Sequence, residues 1–388
     1  MEVLAPSPWS GRMDGLSALA ALLATDPANE VLALDLLDQL ITANRLDEAR
    51  ACLALLAPSI SHAPSVEFRR ARIAMLAFDF AGAIAILQSL LSHADVPGVR
   101  HDLAFCQMSL GRLDEAEATL LPAVNAMVEV PAIGFLNARI LHYRAQYEQA
   151  ALVAQAACDQ HPGYAEGWGI LAMIQLDRSD VVAARDASER ALALSSIQPD
   201  ALTVRGSLAL WHGQPAEAVA SFGQALHMQP HSARALAGAG EAFMLGGDVS
   251  QARRLLEQAT ARAPEHIGTW HALAWCALLE SDLSSAWAAF EHAMQIDHNF
   301  GETHGGLALV HVLRGELEEG RAATRRALRL DPHSRNGRYA QSLLWQDEGK
   351  LREANAMVDG ILADTGVDTS RRPADFIQLL RARLTPTG

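Results

Sequence analysis

GQPAEAVASFGQALHMQP, residues 213–230, returns thirty-four residues later as GDVSQARRLLEQATARAP at 247–264, and two periods further on as GELEEGRAATRRALRLDP at 315–332. Each copy opens on glycine, carries a small residue at its sixth place and closes on proline. Weaker copies of the opening read NRLDEA at 44, GRLDEA at 111, AQYEQA at 145 and GKLREA at 349. Aligning the sixth residues gives Ala49, Ala83, Ala116, Ala150, Ala184, Ala218, Ala252, Ala286, Gly320 and Ala354. Eight of the nine intervals are 34 residues and one, Ala83 to Ala116, is 33. A fixed period of this length means one supersecondary unit copied along the chain.

Composition makes that unit helical. Ala and Leu dominate, aromatic residues are 5% of the 388, and unbranched side chains lose little rotamer freedom in a helix. Twelve residues before each sixth-place residue stands a second position, small in nine copies: Ala71, Ala104, Ala138, Ala172, Gly206, Gly240, Ala274, Ala308 and Ser342, with Leu37 in the first. Two antiparallel helices approach closely only where both present little side chain, so the two positions mark the crossing of a helix hairpin. Leu120, Phe222, Leu256 and Phe290, four residues beyond, fill the space toward the next hairpin. Gly111, Gly213, Gly247, Gly315 and Gly349 fit a left-handed cap on the first helix, and Pro27, Pro162, Pro230, Pro264 and Pro332 stop the second.

Trp168-x-x-Leu171-Ala172 and Trp270-x-x-Leu273-Ala274, followed by Ala218…Phe222…Ala225…Pro230 and Ala286…Phe290…Ala293, resemble the first- and second-helix patterns of the tetratricopeptide repeat family. The resemblance implies an all-α, right-handed superhelical solenoid of about ten 34-residue helix-turn-helix repeats over residues 29–365. A tail and capping half-repeat are expected at 1–28. Residues 366–388 are expected to form a C-terminal capping helix and tail, with RRPADFIQLLRARL as the helix and Ser370 placed to cap it.

Charge and motifs narrow the function. A net charge of −14, with Lys350 the only lysine, opposes a nucleic-acid partner, which calls for a basic stripe. Arginine in place of lysine fits a GC-rich bacterial source. Cys52, Cys106, Cys158 and Cys276 form no CxxC pair and read as core residues of a reducing compartment. The N-terminal stretch lacks the basic region of a secretory signal and no run approaches 18 uncharged apolar residues, so a cytoplasmic protein without a membrane span is expected. HExxH, GxSxG and GxxxxGK[ST] are all absent, and Pro230 interrupts the one histidine pair with ligand spacing, His227 and His231. The expectation is a non-enzyme with no cofactor and no metal.

The resemblance further implies that positions 2, 5, 9 and 12 of each first helix line a concave wall. Those positions hold Phe68, Arg72, Met75, His101, Phe105, Met108, Phe135, Arg139 and His142 in copies two to four. In copies five to eight they include Met173, Met244, His271 and Trp275. An apolar stripe with aromatics and methionines suits an amphipathic helix or extended peptide, and Arg72 and Arg139 could fix a carboxylate. Core packing and self-association remain competing readings of the same stripe. The asparagine at position 9 that family members use to clamp a C-terminal carboxylate is absent, as is the asparagine ladder at position 6. The expected function is a protein–protein interaction scaffold or adaptor for protein or peptide partners, with room for a homo-oligomer. Alternatives are a regulatory or targeting subunit of a separately encoded enzyme of glycan synthesis or protein modification, or a secretion or pilus assembly factor.

Overall fold

The computed structural model describes residues 15–126, 130–363 and Ile377. They form 21 helices with no strand among the described residues, in two compact units, Met1–His161 and Pro162–Gly388. In the first unit α1 (Gly15–Thr25) precedes four hairpins: α2 (Glu30–Thr42) with α3 (Leu46–Leu55), α4 (Pro64–Leu76) with α5 (Phe80–His93), α6 (Pro97–Ser109) with α7 (Leu113–Asn125), and α8 (Pro131–Tyr143) with α9 (Tyr147–Gln160). The second unit holds six: α10 (Ala165–Asp177) with α11 (Val181–Leu194), α12 (Pro199–Trp211) with α13 (Pro215–Met228), α14 (Ala233–Leu245) with α15 (Val249–Arg262), α16 (Ile267–Leu279) with α17 (Leu283–Ile296), α18 (Gly301–Leu313) with α19 (Leu317–Leu330), and α20 (Arg335–Asp347) with α21 (Leu351–Ala363). The fold is therefore the all-α array of ten hairpins that the repeat predicts.

Local chemistry sets the boundaries. Asp79, Asp180, Asp248 and Asp282 each cap a second helix by accepting from the backbone N–H three residues on. The turn glycines have φ between 68° and 90°, as the left-handed cap requires. Asn44, Phe78, Ala145, Ser179 and Ser281 take the same conformation in the other five hairpins, without the glycine that makes it unstrained. Proline opens α4, α6, α8, α12 and α13, where its missing N–H costs nothing.

The small positions do what their spacing predicts. Ala49, Ala71, Ala83, Ala104, Ala116, Ala138, Ala252, Ala274 and Ala286 are fully buried, as are Phe290 and Leu256, with Phe222 and Leu120 nearly so. A Cβ on Gly206 would stand 2.9 Å from two carbons of the Phe222 ring, so the ring of α13 rests directly on the backbone of α12. Within each unit a second helix packs on the following first helix, and successive first helices pack on one another, as α2 on α4, α6 on α8 and α18 on α20, except that α4 and α6 make little direct contact. Second helices of successive hairpins are held apart, α1 and α3 excepted, which puts the first helices on the inner side of each stack. Residues 1–14 and most of 366–388, where the N-terminal tail and the C-terminal cap are expected, lie outside the described residues. Ile377 is the exception, fully buried in the cluster that holds Tyr339, Val358 and Ile361.

Candidate functional site

In the first unit the inner wall is built by α4, α6 and α8, and helical spacing sets Phe68, Arg72 and Met75 on one face of α4. Phe68 and Met75 are half-buried and Arg72 is exposed. Its neighbours on α4 are both engaged: Arg69 grips Asp38 of α2 through two bonds, 3.0 and 2.7 Å, while Arg70 lies 3.3 Å from Glu67 and donates to the Ser61 carbonyl. Arg72 makes no ion pair or hydrogen bond among the described residues, so its charge is available. On α6, His101 faces Asp102 at 2.9 Å, and the half-buried Phe105 meets Phe80 edge-to-face with centroids 6.2 Å apart. Phe80 meets Phe78 the same way, again at 6.2 Å. These contacts make a ladder of rings running from the wall to the α4–α5 turn.

The other expected wall residues of this unit divide. Met108 is buried with Ala104, Leu120 and Ile133, and Phe135 is also buried, so both serve the core and offer no surface to a ligand. Arg139 is half-buried, and His142 stacks on Tyr143 with centroids 5.9 Å apart.

The second unit fills its own inner face. Met244 and Trp275 are each 1% exposed, packed in one cluster with Leu278, Leu309 and Tyr339. Met173 is half-buried. His271 sits between Phe290 and Phe300, its Nε2 2.8 Å from the Thr303 hydroxyl, and burial pushes its pKa down to about 4, so it is neutral near pH 7. Arg234 of α14 reaches across α12 to Asp177 of α10, with one bond of 2.8 Å. Of the expected residues Arg72 alone is exposed, while Phe68, Met75, His101, Phe105, Arg139, His142, Met173 and His271 are half-buried, so the one exposed charge of the expected site lies in the first unit on the face of α4 that carries Phe68 and Met75.

Sequence reasoning missed Phe78 and Phe80. The signal was present, because Phe78 occupies the turn position that is glycine in five other hairpins. A cleft of about 360 Å³ also opens on the outer side between α3 and α5, floored by Ile73, Ala74 and Ala77 and rimmed by Arg50, Arg70 and Asp79. Asp79 is committed as a helix cap and both arginines face a carboxylate, so the cleft presents no free charge. The His227 and His231 pair does not share a helix, since α13 ends at Met228. Among the described residues no group of three His, Cys, Asp or Glu side chains is placed to hold a metal, and no helix is long and apolar enough to cross a membrane.

Two family models, each described as tetratricopeptide repeat, match this chain, one at residues 74–134 and 209–276 and the other at 135–200, together about half of its length. The chain belongs to the tetratricopeptide repeat family. No curated protein matches it in sequence. Among solved structures, the human IFIT1 dimer with m7Gppp-AAAA is 17% identical, aligns over 83% of this chain and 82% of its own, and superposes with a TM-score of 0.51. A monomeric IFIT1 mutant with Gppp-AAAA is 15% identical over 83% and 91%, with a TM-score of 0.50. YrrB, a tetratricopeptide repeat protein with an unusual peptide-binding site, is 15% identical over 48% of this chain and 97% of that one, at 0.39. The two IFIT1 likenesses show the fold alone. Tetratricopeptide repeat proteins are generally non-enzymatic scaffolds, and family membership points to protein–protein interaction.

Proposed function

We propose that this chain is an adaptor whose first unit takes a peptide or helical segment of a partner protein on the inner face of α4 and α6. The observation that supports it is Arg72, an exposed guanidinium with no ion pair or hydrogen bond among the described residues, on the same face of α4 as the half-buried Phe68 and Met75, with the half-buried Phe105 on α6. A cation left without a carboxylate beside apolar rings matches a segment that brings both an apolar anchor and an acidic group. IFIT1 holds a capped RNA, but the net charge of −14 opposes that ligand class here. The expected partner is protein, bound without chemistry at the site.

A photo-crosslinking residue placed at Phe105, in the native host, tests this. Crosslinks should form to a discrete partner, and Arg72→Glu should reduce them sharply. A residue placed on the outer face at Leu152 should give none. Equal crosslinking from Leu152, or yields indifferent to Arg72→Glu, would reject the inner face as the docking surface.

A further inference from the structure

The hairpin turns of the first unit differ in kind from those of the second. In the second unit they read RSD at 178–180, HGQ at 212–214, GGD at 246–248, ESD at 280–282, RGE at 314–316 and EGK at 348–350. In the first, three successive turns read AFDF at 77–80, LGRL at 110–113 and YRAQY at 143–147. Phe78 is 69% exposed and Tyr143 59%, with Leu76, Leu110 and Tyr147 exposed beside them. The turns lie side by side. Phe80 of the first reaches Phe105 on α6, and Arg144 of the third pairs with Asp114 and Glu117 in the first turns of α7.

Two features set this edge apart from ordinary surface. Phe78 holds φ at 60°, a conformation that is costly for a bulky residue, and it does so with its ring in water. Glycine at that place, as in five other hairpins, would remove both costs. The five exposed side chains together offer about 500 Å² of largely apolar surface, near the upper size for a monomer's largest patch. Doubled across a twofold axis, that becomes about 1,000 Å², the lower bound for a specific interface. The rim carries both signs, Arg112 paired with Glu115 and Arg144 with Asp114 and Glu117, so a twofold axis can set each cation against a carboxylate of the other copy.

We infer that the α4–α5, α6–α7 and α8–α9 turns form an isologous docking surface for a second copy of this chain. The surface does not include Arg72, although the Phe78, Phe80 and Phe105 rings join it to the inner face.

Sedimentation equilibrium of the full chain across the micromolar range tests this. Wild type should pass from monomer to dimer. Phe78→Gly should weaken the dimer about tenfold or more, the effect of losing one interface anchor. The same change should raise the thermal midpoint of the monomer, a pairing of signs that a purely structural role for the ring would not produce. Phe78→Gly with Tyr143→Glu should be monomeric, while Arg72→Glu should dimerise normally, which separates this surface from the partner site. A wild-type chain that stays monomeric, an unchanged dimer in the double variant, or growth into open polymers would each overturn the inference.

Discussion

Gly306→Ala isolates the packing on which the stack depends. Gly306 lies in α18 against Phe290 of the preceding hairpin, and a Cβ added there would stand 2.6 Å from the ring's Cδ1 and closer still to Cε1 and Cζ. Both residues are fully enclosed, so the ring has no free direction in which to yield. Overpacking of a tight core costs about 1–3 kcal/mol, while alanine in place of glycine returns about 1 kcal/mol of helix propensity. The net expectation is a loss of up to about 2 kcal/mol. Gly223→Ala is the control, since its position on α13 is open to solvent with nothing within 4 Å, and it should gain up to about 1 kcal/mol. Adding Phe290→Leu to Gly306→Ala recreates the pairing already present at Leu256 and Ala272, and should restore most of the loss through a coupling of about 1 kcal/mol. Urea midpoints followed by helical circular dichroism read the series. Hydrogen exchange on α17 and α18 localises it, because a repeat array need not unfold in one step. If Gly306→Ala stabilises as much as Gly223→Ala, the reasoning fails.

Other outcomes follow from the turns, the ion pairs and the thiols. Ala145 and Gly111 share the left-handed conformation, so Ala145→Gly should stabilise by about 1 kcal/mol and Gly111→Ala should destabilise by about as much, both read as urea midpoints. Asp282 accepts from the Ser285 side chain and backbone and from Arg253, which hold its pKa down to about 2 against an ordinary 3.8. A lowered pKa favours the ionised folded state, so this contribution is full above pH 3.8 and lost as pH falls toward about 2. Asp282→Ala should flatten that part of the acid-unfolding curve and cost about 1 kcal/mol at neutral pH through the lost cap. Burial pushes the thiols of Cys52 and Cys106 up to about 12, and all four cysteines are buried. The folded chain should resist a disulfide reagent at pH 8 that labels four thiols in urea, and fast labelling of the native form would contradict the described core.

The repeat, the hairpin boundaries and the small crossings were legible because each is a local rule: a cap, a turn, a stop and a close approach recur at fixed spacing. Which inner residues stay open was not legible, because exposure depends on a neighbour one repeat away. Trp275 and Phe105 hold the same position 9, yet Trp275 is buried among Leu278, Leu309 and Tyr339 while Phe105 is half-open. A longer-range regularity was present in the letters and unreadable without the fold. Phe222 stands sixteen residues before Gly238 and Phe290 sixteen before Gly306, and in both pairs a Cβ on the glycine would enter the ring. Ser188 precedes Val204 and Leu256 precedes Ala272 at the same spacing, so in the second unit these pairs set a larger residue on one helix against a smaller one on the other, whereas Leu87 with Leu103 and Leu120 with Leu136 in the first unit do not. Phe78 was overlooked for a different reason: reading the turn position only for glycine hides the residue that departs from it.

Hydrogen exchange of the full chain, free and with a crosslinked partner bound, tests the docking surface most directly. Slowed exchange should concentrate in residues 64–76 and 97–109, the helices that carry Arg72 and Phe105. Slowing confined to the outer helices α5 and α7, with α4 and α6 unchanged, would contradict it.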